Sequence, residues 1–176
     1  IGLYKPSEGH VLCDDKNIHK NIRSWFKNIG YVPQNIYLSD DTVAANIAFG
    51  IPAKDIDLDW VIFLSKKVDL HHHITTVLPD GYHSRLGDGG ITLSGGQKQR
   101  ITFARALYSK PKYLFLDETT SALTSSLEQK IFGDIKVDFP DMTIILITHR
   151  ESSLENVDNI IEVDQATVKT TQIGAT

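Results

Sequence analysis

Three short apolar runs without polar alternation punctuate the chain, at residues 29–32, 113–116 and 144–147. Runs of four or so apolar residues bounded by polar breaks read as strands buried on both faces. Helical periodicity lies between them. In 98–108, Ile101, Ala104 and Leu107 share one face while Arg100 and Arg105 lie off it; in 127–137, Leu127, Ile131 and Ile135 repeat the pattern. Strands alternating with helices predict a parallel sheet with helical crossovers. Weaker strand signals occur at 10–13, 160–163 and 167–170, the last two joined by a short polar turn that predicts a hairpin. Residues 41–79 carry no strong strand, and breaks around Pro52 and Asp55 divide them into two or three short helices. This stretch reads as a small helical insertion in an α/β core, extending over about 41–108 once the helix at 98 is included, all within one domain spanning 1–176.

Composition narrows the picture. The 176 residues, 41% of them hydrophobic, suit one domain with a continuous core. A formal charge of -4, with no clustered Lys or Arg, argues against nucleic acid as a partner. The single cysteine, Cys13, allows neither an internal disulfide nor a thiolate metal cluster, which fits a reducing compartment. No apolar run approaches the ~20 residues of a membrane-spanning helix. The chain starts at Ile1 rather than Met, and residues 1–9 (IGLYKPSEG) read as the end of a longer helix, so a fragment of a larger protein is expected.

In an open parallel sheet, ligands bind beyond the carboxyl ends of the strands. The first run leads to Pro33 and Gln34, the second to Asp117 and Glu118, and the third through Thr148 to His149. One rim would thus carry an amide, two carboxylates and an imidazole. An Asp-Glu pair after a buried strand can hold Mg²⁺ and orient a water for attack on phosphate. The same pair is also common where a helix begins. Likewise Ser94-Gly95-Gly96-Gln97, placed before the helix, could offer free N–H groups to an anion or could be a plain cap after a turn.

The ordered series decides between these readings. Val32-Pro33-Gln34, LSGGQKQR at 93–100, YLFLDE at 113–118, Ser121-Ala122-Leu123 and Thr148-His149 resemble, in order and spacing, the Q-loop, signature, Walker B, D-loop and H-loop of ABC ATPases. DTVAANIAFG at 41–50 and LPDGYHSRLGDGG at 78–90 resemble the exporter branch of that family, whose members expel lipids, peptides and drugs. The resemblance implies a P-loop NTPase-like parallel sheet with an inserted helical subdomain, working with ATP and Mg²⁺. By similarity, Glu118 is the general base, Asp117 and Gln34 serve Mg²⁺, and Gln34 also meets the attacking water. His149 would contact the γ-phosphate and steady Glu118. Ser94, Gly95, Gly96 and Gln97 would bind the γ-phosphate held by a second such domain, in a head-to-tail dimer attached to transmembrane domains on the cytoplasmic face of a membrane.

Departures from the family pattern matter too. Asp88 stands where the family usually has Glu, and Thr124 stands where the D-loop usually ends in Asp. No G-x-x-x-x-G-K-[ST] occurs in the 176 residues, so the amino-terminal strands and Walker A loop are expected to be missing, the fragment alone is expected to be inactive, and the sheet should show an unpaired apolar edge. Rival expectations are a chromosome-maintenance or DNA-repair ATPase, a soluble translation cassette, and a non-hydrolytic regulatory cassette. The 60 residues from Gln34 to Ser94, without sustained heptads, oppose the first. The exporter-like stretches oppose the second, and intact Gln34, Glu118 and His149 oppose the third. His71–73 read as part of a surface helix rather than a metal site, Trp25 and Trp60 as packing aromatics, and Cys13 as a small packed hydrophobe.

Overall fold

In a computed structural model of the chain, the three apolar runs form one parallel sheet in the order β3-β4-β5. The structure describes residues 1–87, 90–118, 124–150, 153–154, 157–164 and 167–172. Strand β3 (Ile29–Val32) pairs with β4 (Tyr113–Asp117), and β4 with β5 (Thr143–Ile147). The registers Val32↔Leu116 and Asp117↔Ile147 bring all three carboxyl ends to one level. Parallel neighbours cannot be joined by tight turns. The crossover from β4 to β5 runs through α6 (Ser125–Asp138), and among the described residues the named elements between β3 and β4 are all helices, apart from isolated bridges.

That helical region comprises α2 (Val43–Ile47), α3 (Leu58–Lys67), α4 (His71–Thr76) and α5 (Gly95–Tyr108). Helix α5 packs on α2 and α3 as well as on β3, so one apolar core runs from Ile47, Leu64 and Ile74 through Phe103 and Leu107 to Leu114, Leu116 and Ile131. Gly30 makes the α5–β3 approach possible: a Cβ there would lie 2.5 Å from the carbonyl oxygen of Ala106. Polar anchors fix the helical region around this core. Trp60 stacks on Phe63 with ring centres 5.0 Å apart and donates its indole N–H to the Tyr108 carbonyl at 3.0 Å.

Two helices start earlier than periodicity suggests, because capping chemistry rather than apolar spacing sets their first residue. Helix α5 begins at Gly95, where Ser94 and Gln97 form a reciprocal capping box. Helix α6 begins at Ser125, capped by the Thr124 hydroxyl, which accepts the Leu127 N–H. Residues 1–9 contain no helix, contrary to expectation. Gly2 and Gly9 adopt positive φ and Pro6 lies between them, and each of these opposes a continuous helix through the segment.

Smaller pieces flank the sheet. β1 (Leu12–Cys13) and β2 (Lys16–Asn17) form a tight hairpin turned by Asp14 and Asp15, both at positive φ; α1 (Ile22–Phe26) follows. At the carboxy-terminal end, β6 (Asn159–Asp164) and β7 (Thr167–Gln172) pair antiparallel with each other, as the sequence predicts. Among the described residues β5 has a strand partner on one side only, and its Ile145 and Ile147 are exposed. No helix of the described residues is long and apolar enough to cross a membrane.

Candidate functional site

The sheet register assembles a cluster at the carboxyl rim. Glu118 follows β4 and is the keystone: its Oε2 accepts from Gln34 Nε2 at 2.7 Å, and its Oε1 lies 2.9 Å from His149 Nε2. Gln34 arrives from the end of β3 and His149 from the end of β5, so three strands supply one hydrogen-bonded row. Both carboxylate oxygens thus face a donor from a neighbouring strand, and the Glu118 contact places the His149 proton on Nε2.

Backbone geometry singles out the same residue. Glu118 has φ of 48°, in the left-handed region that side-chain-bearing residues avoid at a cost of about 1–3 kcal/mol. Its N–H donates to the Ile147 carbonyl at 3.0 Å, so the parallel ladder with β5 holds the turn in place. Asp117, the last residue of β4, accepts from the Tyr31 hydroxyl at 3.0 Å. Tyr31 and Asp117 come together because Tyr31 pairs with Phe115, two residues before Asp117 on the same face. Burial, followed by the hydrogen bond to Asp117 and its negative charge, pushes the Tyr31 phenol above its ordinary value.

The signature segment is built differently. Ser94 Oγ accepts the Gln97 N–H at 3.3 Å, and Gln97 Oε1 accepts the Ser94 N–H at 2.8 Å. The Lys98 N–H goes to the Ser94 carbonyl. A helix of 14 residues leaves its first-turn N–H groups without intrahelical partners, so Gly95 and Gly96 supply the spare donors at the positive end of α5. A Cβ on Gly95 would meet nothing within 4 Å, so the end of this helix is open. No hydrogen bond or ion pair among the described residues joins Ser94, Gly95, Gly96 or Gln97 to Gln34, Asp117, Glu118 or His149.

Two further sequence-predicted features lie outside the described residues, Asp88 and the Ser121-Ala122-Leu123 stretch. Thr124, read from sequence as a lost carboxylate, is the cap of α6. The histidine run does sit on α4, where His71 Nδ1 meets the Tyr82 hydroxyl at 2.8 Å, and no metal-holding group of three His, Cys, Asp or Glu occurs among the described residues. Trp25 packs on Tyr113 with ring centres 5.2 Å apart. Cys13, expected to pack as an apolar group, donates its thiol to the Tyr113 hydroxyl at 3.0 Å.

Sequence reasoning missed the residues that position the rim. Buried Asn46 and half-buried Arg105 form the clearest case. Asn46 Oδ1 accepts from the Ser39 N–H and from Arg105, while its amide donates to the carbonyls of Ser39, Asp41 and Thr42. Arg105 also donates to the Tyr37 carbonyl at 2.8 Å. Together they pin the stretch following Gln34 to α2 and α5. The signal available in sequence was an Asn within an otherwise apolar helix, since a buried amide requires partners.

Comparison with known proteins agrees with this layout. The sequence profile of the ABC transporter family matches residues 1–121. The chain belongs to the ABC transporter family. An ABC-type transporter of Aspergillus fumigatus is 39% identical over 173 residues, covering 94% of this chain and 13% of that protein. An ATP-dependent lipid A-core flippase of Cupriavidus metallidurans is 37% identical over 171 residues, covering 94% of this chain and 28% of that protein. The solved structure of a bacterial Atm1-family ABC exporter with ATP bound superposes with a TM-score of 0.87 at 34% identity, over 96% of this chain and 29% of that one. This ABC transporter sequence therefore spans less than a third of the length of these relatives. The fold is that of the ABC ATPase, with the parallel sheet of its core and the helices between β3 and β4.

Proposed function

We propose that this chain is part of the ATP-hydrolysing motor of a membrane exporter. The observation that carries the reading is the Gln34–Glu118–His149 row at the strand rim, with Asp117 beside it. Glu118 takes the proton of a water directed at the terminal phosphate, and Gln34 orients that water. His149, donating from Nε2, turns from Glu118 to the γ-phosphate oxygen, which leaves a carboxylate oxygen free to act as base. Positioning and electrostatics account for most of the catalysis in such a site.

The oxygen donors present fit Mg²⁺, which beside phosphates is held by one or two carboxylates and keeps several of its waters. Asp117 and the amide oxygen of Gln34 are the residues that would hold it, and when bound it supplies charge opposite the phosphate oxygens. Tyr31 keeps one Asp117 oxygen occupied, leaving the other for this role.

The spare N–H groups of Gly95 and Gly96, with Ser94 and Gln97, form the half of the site that a second copy or a related domain uses. Their lack of contact with the rim of the same chain supports head-to-tail dimerisation with ATP between the two domains. The exporter-like relatives support attachment to transmembrane domains at the cytoplasmic face of a membrane. The 176 residues alone carry no Walker A motif to cradle the β- and γ-phosphates, so by themselves they hold ATP weakly and do not turn it over.

The test is Mg-ATP binding and turnover by the full-length protein, by its Glu118→Gln form and by the 176 residues alone. Turnover in the first only, with ATP still bound by the second, is the expected pattern. Hydrolysis by the 176 residues unaided, or by the Glu118→Gln form at the wild-type rate, would overturn the reading.

A further inference from the structure

His149 is poorly held by its own side chain. The imidazole is 86% exposed, and its partner is Glu118. An exposed ring hydrogen-bonded at one end keeps its aim only if the backbone beneath it is fixed. The residue that fixes it comes next in the chain. The Arg150 N–H donates to the Thr148 hydroxyl at 3.0 Å, which folds the backbone around His149, and the Arg150 carbonyl accepts from the Ser153 N–H at 3.2 Å.

The Arg150 side chain then crosses to another element. One guanidinium nitrogen donates to Glu128 Oε2 at 3.2 Å and another to Ser125 Oγ at 2.9 Å. Glu128 and Ser125 lie in the first turn of α6, the helix reached from Glu118 through residues 119–123. The Glu128 side chain is only 4% exposed, and its Oε1 has no hydrogen-bond partner among the described residues. A carboxylate so far removed from water is costly without a cation. An Arg fork between this carboxylate and a hydroxyl is also more directional than a point charge could be.

We infer that Arg150 is a positioning residue for the phosphate-sensing histidine, tying the loop after β5 to the start of α6. It links the segment that leaves Glu118 to the segment that carries His149, so base and sensor are held by one tether. The functional half of this inference rests on the reading of His149 given above; the structural half does not.

The test uses the full-length protein with Arg150→Lys, which keeps the charge but loses the fork, alone and combined with His149→Ala. Arg150→Lys lowers kcat at least fivefold, with KM for ATP within twofold and Tm little changed. In the His149→Ala background the same substitution changes kcat less than twofold. An equal loss in both backgrounds, or a loss that follows Tm and KM, overturns the inference. Glu128→Gln, which removes the buried charge but keeps an acceptor, guards against a folding artefact and reproduces the kcat effect in weaker form.

Backbone hydrogen exchange supplies a readout independent of turnover. Exchange at 148–150 and 153 speeds up at least threefold in Arg150→Lys while β3 is unaffected; unchanged exchange means there is no tether. If the wild-type protein fails to hydrolyse ATP, the motor reading falls, and hydrogen exchange still decides the tether.

Discussion

The carboxyl rim of the sheet and the amino-terminal end of α5 both carry candidate phosphate chemistry, yet they are built on opposite lines. At the rim every reactive side chain is already engaged: Gln34 and His149 with Glu118, and Tyr31 with Asp117. At α5 the side-chain oxygens of Ser94 and Gln97 are spent on each other's backbone N–H, and what remains includes the N–H groups of Gly95 and Gly96 and open space over Gly95. The rim is assembled within one chain by strand register, so it is ordered before any ligand arrives. The helix end is a finished surface with unused donors, and it needs something brought to it. On the reading proposed above, the self-completed rim is the side that performs the chemistry and the open helix end the side that closes over it.

The largest expected effect tests whether the strain at the rim is functional. Replacing Glu118 with Gly removes the left-handed penalty together with two hydrogen bonds, so the terms offset and stability should stay within about 1 kcal/mol. It should also lower turnover by about 10²–10⁴-fold, the usual worth of a general base. Thermal melting and single-turnover hydrolysis on the same sample check both halves; a folded variant that is fully active would remove Glu118 from the chemistry.

Next comes a pair of glycines. Gly95→Ala meets no atoms and should leave stability unchanged or raised by up to about 0.5 kcal/mol, while costing about tenfold or more in turnover by crowding the phosphate approach. Gly30→Ala runs into the Ala106 carbonyl and should cost about 1–3 kcal/mol or more without any specific effect on turnover per folded molecule. Equal stability losses at the two sites would show that the α5 end is not open.

A smaller effect is expected from Thr124→Asp. Asp caps a helix as well as Thr does, so α6 should keep its stability to within about 0.5 kcal/mol. On the head-to-tail reading proposed above, the added carboxylate should raise turnover severalfold, as steady-state hydrolysis would reveal; no change would leave Thr124 a cap and nothing more.

The smallest is a pH effect at Tyr31. Its pKa is raised in the folded chain, so the neutral phenol is favoured there, and the contribution is complete below pH 10, the ordinary tyrosine value. It is lost as pH rises through the folded value. Denaturation of the wild-type protein should therefore show an added loss above pH 10 that Tyr31→Phe flattens. Parallel curves would mean that folding does not raise the pKa of the Tyr31 phenol.

What could be foreseen followed from local pattern. The apolar runs at 29–32, 113–116 and 144–147 became β3, β4 and β5 because short apolar runs between polar breaks favour strands, although the burial on both faces expected of them fails in β5, whose Ile145 and Ile147 are exposed. Gln34, Asp117, Glu118 and His149 were nameable for the same reason, since residues just past such strands share a rim. The hairpin of β6 and β7 was legible from its turn. Residues 1–9 were misjudged because an apolar start was weighed above Gly2, Pro6 and Gly9, whose backbone preferences prevail when little packing opposes them.

The sequence by itself determined the alternation of strands and helices, the family, and which side chains stand at the strand ends. Periodicity and ordered motifs are properties of neighbours along the chain. Only the tertiary structure decided that Glu118 sits between Gln34 and His149, that Tyr31 reaches Asp117, that Arg105 and Asn46 clamp the loop after Gln34, and that Arg150 ties His149 to α6. These contacts join residues from 22 to 86 positions apart. They depend on strand register and on the burial of polar groups that must find partners. No local pattern encodes either.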